Sequence, residues 1–114
     1  MKILRFSASQ GTTLQAYDGA GCTDPTTAAP FVLLQGSNAG IAGMSIVYPA
    51  QAGPDDAAPV PYPWCIRGSG DDITIKNMFL VNPYLGIDLG TTPAGRHLVS
   101  DVYVKAPLLD TADV

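Results

Sequence analysis

One nine-residue phrase is written three times in this chain, and each copy closes on proline. The copies are IAGMSIVYP (residues 41–49), IKNMFLVNP (75–83) and VSDVYVKAP (99–107). An aliphatic residue stands first in each, and Gly43, Asn77 or Asp101 stands third. Met44, Met78 or Val102 follows at the fourth position, and Ile46, Leu80 or Val104 occupies the sixth. The copies start at residues 41, 75 and 99, and similarity recurring at intervals of about 20–50 residues marks stacked repeat architectures.

Within each copy the side chains alternate as a strand requires. Met78 and Leu80 alternate with Phe79 and Val81, and Val102 and Val104 alternate with Tyr103 and Lys105. The β-branched and aromatic content agrees with this. A second apolar segment precedes each copy: PFVLLQG from Pro30, PWCIRG from Pro63 and LGIDLG from Leu85. If the segments KILRF and TTLQAY near the start form an opening rung, the coils number four rather than three and a half. The third position of the repeat carries Gly, Asn and Asp, the residue types that best tolerate a left-handed backbone, so it is expected to hold a sharp bend.

Stacked in register, the copies place Gly43, Asn77 and Asp101 over one another at a corner. Met44, Met78 and Val102 then form one inward ladder, and Ile46, Leu80 and Val104 the next. A single coil of this length cannot bury its own apolar face, so stacking supplies the core. The expected fold is all-β, a right-handed parallel β-helix of about four coils. The first interval exceeds the second because residues 49–63, PAQAGPDDAAPVPYP, form an inserted Pro-rich loop. The alternative is a β-sandwich or jelly roll, in which proline-bounded apolar runs also occur at strand edges.

The run GSNAGIAGMSIVYPAQ (residues 36–51) and the run YPWCIRGSGDDITIKNMFLVNPYLGIDLG (62–90) together resemble the pectate-lyase-like superfamily of parallel β-helix proteins. The resemblance covers most of residues 30–107. It implies a solenoid far shorter than is usual in that superfamily, a miniature or a fragment of the architecture. It also implies an extracellular or cell-surface setting and polysaccharide as the class of ligand. Members include polysaccharide lyases, glycoside hydrolases, tail spikes and surface proteins. A short solenoid exposes strand edges at its open ends. Self-association into a homo-oligomer is therefore expected, aided by an outward apolar stripe of Phe79, Val81 and Tyr103; folding of the inserted loop over that stripe is the alternative.

The chain of 114 residues is 46% hydrophobic and 14% charged, enough apolar content for one folded domain spanning residues 1–114. Twelve glycines and ten prolines argue against long helices. Six basic residues against ten acidic ones leave a net charge of −4 and no basic patch for nucleic acid. No apolar run reaches the roughly 18–20 residues of a membrane-spanning helix, so neither nucleic acid nor membrane is an expected partner. Arg5 interrupts the N-terminal apolar run, which makes a poor signal peptide.

Cys22 and Cys65 are isolated, and sequence alone leaves their pairing open. With no CxxC and a single histidine, neither a metal site nor a cofactor is expected. Glycoside hydrolysis would need two facing carboxylates. Asp71 and Asp72 follow GSG at an expected turn, and Asp55 and Asp56 lie in the inserted loop. The Asp-Asp pair resembles that of polygalacturonases, yet the Asn-x-Asp, Gly-His-Gly and Arg-x-Lys motifs of those enzymes are missing, so the activity is not carried over. Asp88 is expected to point outward one coil from Arg67. That pair is either a surface ion pair or part of a groove in which Arg67 meets a uronate carboxylate.

Arg96 and His97 precede the third copy; the histidine is a turn residue or a lone general base. Weak catalytic candidates are thus Asp88, Arg67 and Asp72. Candidate ligand contacts are Trp64, Tyr62, Tyr84 and Arg67, since aromatic rings suit sugar stacking and Tyr48, Tyr62, Trp64 and Tyr84 gather around the inserted loop. The expected function is a non-catalytic β-helix module, structural or carbohydrate-binding. Its alternatives are a remnant of a polysaccharide lyase or glycoside hydrolase, and an oligomeric surface or tail-spike-type protein.

Overall fold

A computed structural model describes residues 2–5, 12–15, 21–51, 59–90 and 95–105, with residues 2–5 and 12 described by their backbone alone. Eight strands follow in order: β1 Lys2–Arg5, β2 Thr12–Gln15, β3 Val32–Leu34, β4 Ala39–Val47, β5 Trp64–Gly68, β6 Thr74–Val81, β7 Leu85–Asp88 and β8 Leu98–Lys105. A short 3-10 turn, Pro49–Gln51, follows β4. Every strand pairing among the described residues is parallel. Sandwiches and jelly rolls are built from antiparallel pairs, so that alternative does not describe this molecule.

The strands sort into two parallel sheets. One has the order β1-β4-β6-β8, with β2 also pairing β4, and the other has the order β3-β5-β7. From β3 onward, consecutive strands therefore alternate between the sheets. Their facing sides meet in one core, where Leu34 and Ile66 from the smaller sheet join Ile41, Met44, Ile46, Ile75, Met78 and Leu80 from the larger. Ile41, Ile46, Ile75 and Leu80 are wholly shielded from water. Each side chain of that size contributes about 1.5–3 kcal/mol when fully buried.

The repeat is a register. Met44 pairs Met78 and Met78 pairs Val102; Ile46 pairs Leu80 and Leu80 pairs Val104. Both inward ladders stand as the pattern requires. The third position supplies the bend: Gly43 has φ 77°, Asn77 52° and Asp101 54°. These values lie in the left-handed region, where Asn and Asp are tolerated and β-branched residues are strained. Each nonamer runs through its bend as part of one strand.

Other corners use the same chemistry. Asn38 and Asp72 also have positive φ, and the Asn38 N–H donates to the Asp71 carbonyl at 2.9 Å. Gly70 sits against Gly36 so tightly that an added Cβ would run into the Gly36 backbone. The described ends of the inserted segment are the 3-10 turn Pro49–Gln51 and the stretch from Pro59 onward. Gln51 fastens its two ends, its side-chain Nε2 donating to the Val60 carbonyl at 3.0 Å and its Oε1 accepting from the Val60 N–H at 2.7 Å. Asp55 and Asp56 lie outside the described residues.

Candidate functional site

Arg67 on β5 and Asp88 on β7 are register partners. The Arg67 Nε donates to Asp88 Oδ2 at 3.0 Å, and the other carboxylate oxygen accepts from the Gly90 N–H at 2.8 Å. Nη2 of Arg67 donates to the Thr26 carbonyl at 2.8 Å. The two side chains are only 19% and 15% exposed. Arg67 thus ties the 21–30 segment to the smaller sheet while bridging two rungs. Both Asp88 oxygens are engaged, and the guanidinium already holds one carboxylate and one carbonyl. This is the chemistry of a partly buried cross-strand pair. The spacing of Arg67 and Asp88 was readable from the repeat, whereas the reach of Thr26 across the chain was not.

Asp72 and His97 serve the segments that lead into β6 and β8. Asp72 Oδ1 accepts from the Arg96 N–H at 2.9 Å, and His97 Nδ1 accepts from the Ile73 N–H at 3.1 Å. An imidazole accepting at Nδ1 is the neutral tautomer with its proton on Nε2. The side-chain contact of Arg96 with Asp72 is longer, 3.8 Å, and Arg96 is almost fully exposed, so it adds little. Asp71 has one oxygen, Oδ1, buried without a hydrogen-bond partner among the described residues. Among those residues no cluster of three or more His, Cys, Asp or Glu is placed to hold a metal ion, and no helix is long and apolar enough to cross a membrane.

The aromatic group by the inserted loop divides by burial. Tyr48 and Tyr62 are inside, 1% and 3% exposed, with ring centroids 4.9 Å apart; Phe31 lies 6.1 Å from Tyr48. A ring this enclosed offers no face to a ligand arriving from solvent, which leaves half-buried Trp64 and Tyr84 from the expected set. The Tyr48 hydroxyl has no well-formed hydrogen bond among the described residues, and the polar group it meets is the Cys65 thiol. Burial raises the hydroxyl's pKa far above the ordinary phenol value, with the thiol adding to the rise. Burial likewise pushes the Cys65 thiol up to about 12, while the nearby Tyr48 hydroxyl pulls in the opposite direction. Cys22 and Cys65 are both free thiols.

The most open aromatic surface lies elsewhere, on the outer face of the larger sheet. Ser45, Phe79 and Tyr103 occupy successive rungs there. Phe79 is 38% and Tyr103 65% exposed, with ring centroids 5.1 Å apart and planes tilted by 51°. Beside them a shallow, open depression of about 340 Å³ is lined by Gly43, Met44, Ser45, Asn77, Met78 and Phe79. The bend creates it: Gly43 has no side chain, and Asn77 beneath it is short. Alternation alone marked Phe79 and Tyr103 as outward, but the depression needed the stacked bends. Compared with protein-family models, curated proteins and solved structures, the chain matches none.

Proposed function

We propose that the chain is a short right-handed parallel β-helix of the pectate-lyase-like type, acting as a non-catalytic module that binds carbohydrate along the outer face of its larger sheet. The observation that carries this reading is the exposed Phe79–Tyr103 pair, aligned along the stacking direction beside the depression at Gly43 and Asn77. Small molecules are usually held in enclosed clefts. An open strip of aromatic rings suits an extended polymer instead, whose apolar sugar faces stack on the rings while its hydroxyls stay in water. The alternation of strands between two parallel sheets supports the coil reading, as do the bends repeated at one corner. The engagement of both Asp88 oxygens favours a module over a hydrolase.

Affinity electrophoresis in gels cast with soluble neutral or uronate polysaccharides tests this. One polymer is expected to retard the protein, and Phe79→Ala and Tyr103→Ala each to release it. Retardation that survives both changes but is lost in Trp64→Ala would move the site to the loop side of the molecule. Free migration through every polymer would sink the binding reading and leave a structural role.

A further inference from the structure

We infer that β8 is the joining edge of a twofold dimer, two copies of this chain pairing antiparallel through residues 101–105 with Tyr103 on the symmetry axis. Among the described residues β8 is the last strand of its sheet and has a neighbour on one side only. Its position in the repeat is that of an interior strand, yet Leu98 is 52% and Val99 47% exposed. An open parallel edge with apolar residues is a template for a further strand.

The backbone says which residues can bond across that edge. The Lys105 carbonyl accepts from the Asn82 N–H, so the polar groups of Lys105 face inward to the β6 side. In an extended strand the direction alternates from residue to residue. The N–H and C=O of Val102 and Val104 therefore face away from β6, toward the open edge. Antiparallel pairing about Tyr103 sets Val102 opposite Val104 of the second copy, as a hydrogen-bonded pair. Tyr103 then meets its own symmetry mate in the closer, non-hydrogen-bonded position.

Charge selects this register over its neighbours. About Tyr103, Asp101 falls opposite Lys105 of the second copy, and Lys105 opposite Asp101. Both are exposed, so opposite charges meet twice on the outer face. A shift of the centre by one residue would lose both contacts. Cross-strand pairs of this kind are each worth up to severalfold in affinity. The twofold arrangement is closed and self-complementary, as homodimers usually are. It also joins two Phe79–Tyr103 pairs into one aromatic strip, although the dimer does not depend on what that strip binds. A single strand pair buries less than the roughly 1,200 Å² of a stable interface, so the dimer should dissociate on dilution.

Sedimentation equilibrium over a concentration series, on the full chain, tests the inference. The expected mass approaches twice 11.9 kDa at high concentration and falls toward 11.9 kDa on dilution. Lys105→Glu sets like charges opposite each other and is expected to weaken the dimer by about tenfold. The double variant D101N/K105E removes that repulsion and should recover much of the loss. Asn is tolerated at the positive φ of residue 101, so this rescue is free of backbone strain. A monomer at every concentration would overturn the inference. Masses climbing past the dimer would overturn it in favour of head-to-tail stacking of β8 on the opposite end. Equal behaviour of the single and double variants would remove the Asp101–Lys105 register.

Discussion

β6 and β8 are two printings of one pattern, and they live in different surroundings. Their inward residues correspond one to one in register: Ile75 with Val99, Met78 with Val102, and Leu80 with Val104. Ile75 and Leu80 are wholly buried and Met78 nearly so, whereas Val99 is 47% exposed and Val102 and Val104 are only partly covered. The difference is the neighbour. Among the described residues β6 has β4 on one side and β8 on the other, and β8 has β6 alone. Alternation decides which way a side chain points, and the next rung decides whether it leaves water. The same residue type thus contributes differently according to its place in the sheet.

The comparison can be broken most forcefully at its first position. Ile75→Ala is expected to cost about 2–5 kcal/mol, from lost burial and the cavity left behind. Val99→Ala, at the matching position of β8, should cost about 1 kcal/mol or less. Urea melts of the two variants, read by tryptophan fluorescence, measure the gap. Equal losses would mean that Val99 is covered in solution as fully as Ile75, which a pairing confined to residues 101–105 does not achieve.

The bends offer a smaller contrast. Asn77→Val places a β-branched residue at φ 52°, and such strain costs on the order of 1–3 kcal/mol. Asn77→Gly should be tolerated. Asp101→Val imposes the same local strain on the edge strand, where the backbone can relax into open space, so its cost should be lower. Denaturation midpoints order the three. If Asn77→Val melted like the parent chain, the left-handed bend would not be a structural requirement.

The slightest effect at ordinary pH separates the two thiols. Burial holds Cys65 protonated up to about 12, against an ordinary value of 9.0. The thiol of the unfolded chain ionises first, so the folded state keeps the proton that the unfolded state gives up. Stability from this group is complete below about 9 and is lost as pH rises from there toward 12. Tyr48, raised by burial as well, acts in the same direction. Half-buried Cys22 should react with a thiol reagent in the native state well before Cys65, whose labelling should wait for unfolding. Thermal melts between pH 7 and 11 should be flat at first and then decline. Rising stability across the alkaline range would contradict the enclosed Tyr48–Cys65 contact.

Much of this arrangement is legible in the sequence. The bends at Gly43, Asn77 and Asp101 were legible because few residue types accept a left-handed backbone. The ladders through Met78 and Leu80 were legible because strand alternation has a period of two. The Arg67–Asp88 contact followed from matching the preceding segments. Other features rested on contacts between distant segments and left no local mark. Tyr48 and Tyr62 look like loop aromatics, and their burial depends on the core they close over. Gln51 looks like a loop polar residue, and its clamp on Val60 exists because the two ends of the inserted segment return to one place.

The sequence by itself determined the unit: a bent strand with a known inner face, written three times along the chain. Its cause is local, since backbone strain and side-chain alternation act within a few residues. Tertiary structure alone decided which copies are interior and which is an edge. It also decided which aromatics are core and which are surface, and that the Arg67 guanidinium is held by Asp88 and Thr26. Those outcomes depend on what lies across a few ångströms of space, and a repeat that writes the same pattern in every copy does not say which copy has a neighbour.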